Sequence, residues 1–311
     1  AAQWPPASSP SGIPVPSRID SLPTLGVGVS LSLSAKPDPA ALASLPGGPA
    51  FIEYAGLADV AQVLPEVRRI REAGVPVLYH PSYINFCGSF ANDPDWLATA
   101  AEHIRAVETP WFAQDCAYCF WAEGAGYSSQ LGYFIPPILN EASLAAAAER
   151  IREVQAAIPA PVAIEPPPMG FVVGDLPLFR FFGRLAEAAD CLLLLDMGHL
   201  VSWEMASGQR VMDHLGELPV ERVVEAHIAG GKLQPGQPGP IYVDSHESLI
   251  LPPVWDLLDA MLPVLPCLKA VCYECEGMDG DTVMATLAEL RARVVRLSPH
   301  AELVRRAEGR S

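Results

Sequence analysis

Four residues of types that bind metal ions stand at or near the ends of four apolar runs. They are Glu165 after PVAI, Asp196 after CLLLL, His227 within VVEAHIAG and Glu274 within KAVCYECEG. In a (β/α)8 barrel the carboxyl ends of the strands converge on one face, so ligands roughly 30 to 50 residues apart in sequence can surround one ion. Three carboxylates and one imidazole suit Fe(II), Mn(II) or Mg(II) better than zinc held by thiolates. The pattern predicts a metal site that holds iron or manganese.

Further acidic and imidazole residues fall on the same face of the predicted barrel. They are His80 closing VPVLYH, Asp115 closing WFAQD, His199 in DMGHL, and Asp244 and His246 in a long loop. In an extended segment Asp244 and His246 project to the same side, so both can reach one ion or one substrate group. These residue types are sufficient to bind a second metal ion at this face. Asp115 and His199 are the candidates for catalytic roles.

Short apolar runs alternate with helical patterns along the chain, which predicts an α/β fold, a single (β/α)8 TIM barrel with its metal site at the carboxyl ends of the strands. The runs lie near 25–33, 49–55, 75–80, 110–115, 161–165, 191–196, 222–229 and 269–275. Residues 1–24, rich in Pro and Ser, are predicted to be a flexible arm, 25–296 the barrel and 297–311 a polar C-terminal tail. Two long loops, 117–140 and 230–249, are predicted to form a lid or rim over the catalytic face.

Composition narrows the classes of function. The chain has 311 residues and a formal net charge of -16, which opposes binding to nucleic acid or to an anionic membrane. Its seven cysteines are odd in number and scattered, which fits a reducing compartment better than a disulfide framework. We find no run that approaches the roughly 18 to 20 apolar residues of a transmembrane helix. The sequence therefore predicts a cytoplasmic protein.

Three further histidines, His103, His214 and His300, are predicted to be solvated surface residues.

The chain resembles the DUF692 family of multinuclear non-haem iron enzymes, which includes the methanobactin-type and 3-thiaglutamate-type peptide-modifying oxidases. The resemblance rests on LLLLDMGHL, VVEAHIAGG, VDSHESLILPPVWDLLDAML and CYECEG, which occur in the family's order. It implies a centre of two or three iron ions (Fe2+/Fe3+) with O2 as co-substrate. It also implies that the substrate is a cysteine residue of a ribosomally made peptide, and that a small partner protein presents this peptide.

The same resemblance implies a set of ligands. Glu165, Asp196, His227 and Glu274 would bind one iron, His80 a second, and Asp244 and His246 a second or third. The sequence departs from the family pattern at three positions, because the two expected histidines are Ala55 and Cys116 and the expected asparagine after Asp196 is missing. His199 is a candidate replacement for that asparagine. The number of bound irons stays open at this point.

Two other functions also stay open. Sugar isomerases and epimerases of the xylose-isomerase-like group place Glu, Asp, His and Glu at strand ends around one divalent ion, where carboxylates move a proton beside a carbonyl. A barrel that has lost ligands could instead be a non-catalytic metal-binding scaffold. The isomerase would work anaerobically with Mn(II), the oxidase would consume O2 with a cysteine-containing peptide, and the scaffold would do neither.

Overall fold

The computed structural model describes residues 19–56, 59–88, 90–120, 130–236 and 239–309, apart from the side chains of 120 and 130–133. Residues 1–18 of the predicted arm lie outside this range. Within it, parallel strands close a barrel in which sequential strands are neighbours and the last pairs with the first. The strands are β1 (Gly26–Ser30), β2 (Ile52–Tyr54), β3 (Val77–Tyr79), β4 (Phe112–Asp115), β5 (Val162–Glu165), β6 (Leu192–Asp196), β7 (Val223–Ala229) and β8 (Ala270–Glu274). Each predicted run contains one strand, so the TIM-barrel prediction is confirmed.

Helices surround the barrel and follow most of its strands. They are α1 (Pro39–Ala43), α2 (Val60–Glu72), α3 (Pro94–Val107), α4 (Glu141–Ala157), α5 (Leu178–Ala189), α6 (Met197–Ser207), α7 (Pro252–Met261), α8 (Gly280–Leu297) and α9 (Ala301–Glu308). Side-chain caps fix several of their first turns, as where Asn140 accepts from the Ser143 backbone N–H at 2.9 Å. In the part of the chain that the structure describes, no helix has the length and apolarity to cross a membrane.

The segment predicted as a polar C-terminal tail contains α9. The side chains of Leu303 and Ala307 are buried, and the Cβ of Arg306 approaches the start of β1 at Gly26. This helix therefore packs against the amino end of the barrel, opposite the predicted metal site.

The barrel interior has an apolar floor below a polar layer. The floor includes Phe51, Leu78, Ala113, Ala163, Leu194 and Cys272, which belong to one buried cluster. Each of these floor residues is followed two positions later by a polar residue. In the same order, the polar residues are Glu53, His80, Asp115, Glu165, Asp196 and Glu274. Because side chains alternate across a strand, each of these polar residues points inward one step nearer the carboxyl end. A Cβ on Gly28 would lie 2.5 Å from the ring of Phe51, so β1 needs glycine there.

Both long loops contain antiparallel strand pairs. Tyr118–Phe120 pairs with Gln130–Ile135, and Gly231–Gln234 pairs with Ile241–Asp244. Residues 121–129 and 237–238 of these predicted rim loops lie outside the described residues. The second hairpin ends at Asp244, and it thereby delivers one predicted ligand to the face of the barrel.

Candidate metal centre

The structure brings all the predicted site residues together at the carboxyl ends of the strands. They are His80, Asp115, Glu165, Asp196, His199, His227, Asp244, His246 and Glu274, and each has a charged or imidazole atom within 4.0 Å of another member. Most of these side chains are buried, whereas His246 keeps 27% of its side chain exposed. The cluster therefore opens toward solvent on the side of His246.

Asp196, His227 and Glu274 form the central group. One ligand atom from each lies within 4.8 Å of the others. The Nδ1 of His227 is 3.4 Å from the Oε1 of Glu274. Three buried atoms of this group, Asp196 Oδ2, His227 Nδ1 and Glu274 Oε2, have no hydrogen-bond partner among the described residues. A buried polar atom without a partner costs about 1 to 3 kcal/mol, and a bound cation would provide the missing interaction.

Asp196 owes its position to an abrupt change from strand to helix. It is the last residue of β6 and the N-cap of α6, and its Oδ1 accepts from the His199 backbone N–H at 2.7 Å. That bond orients the carboxylate and leaves Oδ2 directed into the site. A Cβ on Gly198 would lie 2.8 Å from the Tyr242 hydroxyl and 3.1 Å from Asp196 Oδ1, so the close approach of the rim hairpin and of this carboxylate requires glycine there.

Glu165 lies between two histidines. Its Oε1 is 3.2 Å from the Nδ1 of His199, and its Oε2 is 3.3 Å from the Nε2 of His80. Asp115 is next to this pair, with an oxygen 3.7 Å from His199 Nδ1. Two further ligand groups result, one of His80, Glu165 and His227 and one of Asp115, Glu165 and His199. Glu165 belongs to both, which is the position that a bridging carboxylate requires.

A backbone contact orients the ring of His199. Its Nδ1 is 2.9 Å from the carbonyl oxygen of Pro166, which can only accept, so Nδ1 carries the hydrogen. The remaining nitrogen, Nε2, lies 3.1 Å from Asp244 Oδ2 and 3.9 Å from Asp196 Oδ1. Because Asp244 can only accept, Nε2 also carries a hydrogen in the metal-free protein. Burial by itself lowers the pKa of His199, but Asp196, Asp244 and Glu165 outweigh it and hold that pKa well above its ordinary value. A bound metal ion would replace the hydrogen on Nε2.

The rim hairpin holds Asp244 and His246 in place. The Glu247 backbone N–H donates to the Gly230 carbonyl at 2.9 Å, which anchors the end of the hairpin. His246 adopts a left-handed backbone (φ 47°), which is uncommon for residues other than glycine. Its Nδ1 contacts Glu276 Oε2 at 2.7 Å and its Nε2 faces Asp244 at 3.4 Å. Strained backbone of this kind concentrates at functional sites.

Sequence reasoning missed Glu53, which is 1% exposed and lies beneath the predicted ligands. Its two oxygens face His227 at 3.4 Å and His80 at 3.5 Å. The signal was present, because Glu53 follows Phe51 by two residues as Glu165 follows Ala163. Glu225 was also missed. It is fully buried and accepts from the Trp111 indole N–H at 2.6 Å.

The two positions where the family pattern has histidine lie in contrasting surroundings. Ala55 is exposed beyond β2. Cys116 is fully buried, and its Sγ is 3.5 Å from the Sγ of Cys87. Burial raises the pKa of the Cys116 thiol well above its ordinary value, so it stays protonated.

The prediction that His103 is a solvated surface residue is wrong. It is fully buried, its Nδ1 lies 2.8 Å from the Tyr54 hydroxyl, and its ring stacks on Tyr79. The other two histidines of that prediction, His214 and His300, are half-buried. The Nδ1 of His300 accepts from the Leu303 backbone N–H and caps α9.

The charges of the cluster favour a cation. Burial raises the pKa of Asp196, and the carboxylates of Glu274 and Asp244 add to the effect, so that its pKa is about 7 although His199 opposes the shift. Burial by itself lowers the pKa of His80, but Glu53 and Glu165 outweigh it and raise the pKa to about 9. A bound metal ion would reduce the repulsion between these carboxylates, and it would displace the protons that the carboxylates and histidines otherwise hold. The oxygen and imidazole donors and their unpartnered atoms thus fit a hard divalent cation.

Comparisons with known proteins agree with this architecture. A family model described as "RiPP precursor modification enzyme MbnB/TglH/ChrH" matches residues 53–292. A "UPF0276 protein" of Streptomyces avermitilis is 29% identical over 247 residues, which are 78% of this chain and 49% of that protein, so the match spans about half of the relative's length.

Solved structures show the same fold at low identity. A D-psicose 3-epimerase, solved in the presence of D-fructose, is 13% identical with a TM-score of 0.57 and covers 86% of this chain and 99% of its own. A xylose isomerase-like TIM barrel protein from Mycobacterium smegmatis, in complex with magnesium, is 9% identical with a TM-score of 0.53 over 90% and 99% of the two chains. At these identities the likeness establishes the barrel fold alone.

Proposed function

Because this chain belongs to the family of RiPP precursor modification enzymes MbnB/TglH/ChrH, we propose that it is a non-haem iron oxidase that uses O2 to modify a cysteine residue of a ribosomally made peptide. One observation carries the proposal. Buried carboxylate and imidazole atoms without hydrogen-bond partners in the described part of the chain converge at the carboxyl face of the barrel, beside an accessible edge at His246. Such a set is suited to iron that keeps open positions for substrate and O2.

The residues divide into two neighbouring groups. Asp196, His227 and Glu274 would hold one iron. His80 would contribute to a second iron next to Glu165, whose Oε2 faces the Nε2 of His80. His199 would contribute through its Nε2, which faces Asp244 and Asp196. Bound iron would supply electron exchange with O2 and a Lewis-acidic position for the substrate thiolate.

Residues of this chain would also manage protons. Burial raises the pKa of the Asp115 carboxyl well above its ordinary value, and repulsion from Glu165 adds to the effect, so the protonated form of Asp115 is favoured. A protonated carboxyl beside Glu165 can donate a hydrogen bond, or a proton, to a group held at this face. In this proposal Asp115 has the acid role, and His199 acts through its Nε2.

The peptide would enter where the cluster is exposed. His246 and Glu276 keep 27% and 40% of their side chains accessible, and the hairpin that ends at Asp244 borders this edge. A cysteine side chain entering here meets Asp244 and Glu274 before any deeper ligand. A small partner protein that presents the peptide would bind the same rim.

The proposal is tested by metal content and O2 consumption. Protein purified without oxygen is loaded with Fe(II) and examined by elemental analysis and Mössbauer spectroscopy before and after air. O2 uptake is then measured with a short cysteine-bearing peptide encoded beside the gene and with the same peptide carrying serine instead.

Two or more irons per chain, with O2 uptake that depends on the cysteine, are expected. One Mn or Mg per chain that is indifferent to air, with anaerobic turnover of a sugar, would refute the oxidase in favour of an isomerase. Bound metal without any turnover would indicate a scaffold. His227→Ala should abolish both metal retention and O2 uptake.

A further inference from the structure

Glu53 lies behind two of the proposed metal-binding histidines and touches both of them. Its Oε1 is 3.4 Å from the Nε2 of His227, and its Oε2 is 3.5 Å from the Nδ1 of His80. The Glu53 side chain is 1% exposed, so water does not compete for these contacts. One buried carboxylate thus spans two imidazoles that come from different strands.

The opposite nitrogen of each ring faces the proposed metal ligands. The Nε2 of His80 is 3.3 Å from Glu165 Oε2, and the Nδ1 of His227 is 3.4 Å from Glu274 Oε1. A neutral imidazole binds a metal through the nitrogen that lacks a hydrogen, and its other nitrogen then carries one. Ligating histidines usually donate that hydrogen to a carboxylate or carbonyl, which fixes the tautomer and the ring orientation.

We propose that Glu53 is a shared positioning residue that accepts the Nδ1–H of His80 and the Nε2–H of His227 and so aims both rings at the metal centre. The inference rests on the proposed metal centre and deepens it. The present distances of 3.4 and 3.5 Å are longer than formed hydrogen bonds, and a shift of a few tenths of an ångström closes both.

The chemistry requires a carboxylate at this position. Two N–H donors converge on Glu53, so both of its side-chain oxygens must accept. Glutamine offers one oxygen and one NH2 group, and its NH2 would meet an N–H of either His80 or His227. Glu53→Gln therefore satisfies one histidine and releases the other.

Glu225 provides the matched comparison. It is fully buried and its Oε1 is 3.5 Å from His227 Nε2, but its Oε2 is occupied by the Trp111 indole N–H at 2.6 Å. It contacts one of the two histidines, and Glu53 would still accept from that histidine if Glu225 were changed. Glu225→Gln removes another buried carboxylate next to His227 without removing the bridge.

The first measurement is the tautomer of each histidine in full-length protein loaded with Zn(II), a diamagnetic probe. Nitrogen-15 NMR distinguishes a ring with Nδ1–H from one with Nε2–H, and the signals are assigned by their loss in His80→Gln and His227→Gln. We expect Nδ1–H on His80 and Nε2–H on His227. The opposite pattern, with both inner nitrogens bound to metal, would mean that Glu53 is a direct ligand and would overturn the inference.

The second measurement is Zn(II) affinity, by competition with a chromogenic chelator. Glu53→Gln should weaken binding by about 10- to 100-fold, the range for lost carboxylate support of a ligating histidine, and should remove one of the two N–H signals. Glu225→Gln should stay within about threefold of wild type. Equal losses in both variants would show that any buried carboxylate suffices, which contradicts the bridge.

The wild-type spectrum decides the question even if Glu53→Gln does not fold. Failure of the inference also differs from failure of the proposed function. Wild-type protein that takes up neither Zn(II) nor Fe(II) refutes both, whereas wild-type protein that binds metal with other tautomers refutes the role of Glu53 alone.

Discussion

Asp196→Asn should weaken metal binding and at the same time stabilise the metal-free protein. Asparagine retains the oxygen that caps α6 and is as good an N-cap as aspartate. It replaces the unpartnered Oδ2 by a neutral NH2 group. The variant therefore separates the capping role of Asp196 from its proposed role as a ligand.

The magnitude follows from the pKa of Asp196, which burial and the neighbouring carboxylates raise from 3.8 to about 7. Because the folded value is the higher one, the wild-type carboxyl contributes its full stability below pH 3.8 and loses it as the pH rises to about 7. The cost of ionising it in the folded protein reaches roughly 2 kcal/mol at pH 5 and roughly 4 kcal/mol at pH 8, as upper limits. Metal-free Asp196→Asn avoids this cost, so its advantage should grow with pH.

The assay is urea unfolding of metal-free protein at pH 5 and pH 8, together with a Co(II) absorbance titration. Co(II) affinity should fall by more than about 100-fold, beyond the range for residues that only support a ligand. Asp93→Asn is the control, because Asp93 caps α3 through the Asp95 backbone N–H at 2.9 Å and is not one of the predicted ligands. A stability difference that does not grow from pH 5 to pH 8, or unchanged Co(II) affinity, would refute the reasoning.

Three further predictions concern the same cluster. The pKa of His80 is about 9 in the folded protein and 6.5 ordinarily, so the stability that His80 contributes is complete below pH 6.5 and is lost as the pH rises through 9. The unfolding free energy of metal-free protein should therefore fall over that window, whereas that of Zn(II)-loaded protein should rise. Urea titrations across the window check both expectations. His199→Asn keeps a donor atom toward Asp196 and should retain the wild-type metal content within about twofold, whereas His199→Leu should lose one metal per chain by elemental analysis. Gly198→Ala places a Cβ 2.8 Å from the Tyr242 hydroxyl and 3.1 Å from Asp196 Oδ1, and it should cost about 1 to 3 kcal/mol of stability and at least tenfold in Co(II) affinity. Gly216→Ala, whose Cβ would meet no atom within 4 Å of the described chain, should change neither.

Two of the differences from the sequence predictions have one physical origin. The sequence prediction misses Glu53 because this residue precedes the end of β2, whereas most of the predicted ligands close a strand or follow one. His103 was assigned to solvent because it stands on a helix, although it follows the buried Ala100 by three residues on α3 and so shares its inward face. In both cases the spacing of apolar residues along the element agrees with an inward side chain, but the fold decides which face of the element is buried.

The sequence by itself determined the strands, their order and the chemical character of their ends. Eight apolar runs of strand length, separated by helical patterns, predict a (β/α)8 barrel. A polar residue two positions after an inward-facing apolar residue also faces inward, because side chains alternate along a strand.

Only the tertiary structure decided which of those side chains meet. Closure of the barrel through the pairing of β1 with β8 and β2 brings Glu53 against His227 across more than half of the chain. The carbonyl of Pro166 then orients the Nδ1–H of His199, and the rim hairpin brings Asp244 to the Nε2 of the same ring. Contacts between residues so distant in sequence arise from chain closure and not from local pattern, because no local propensity constrains the separation of two strand ends.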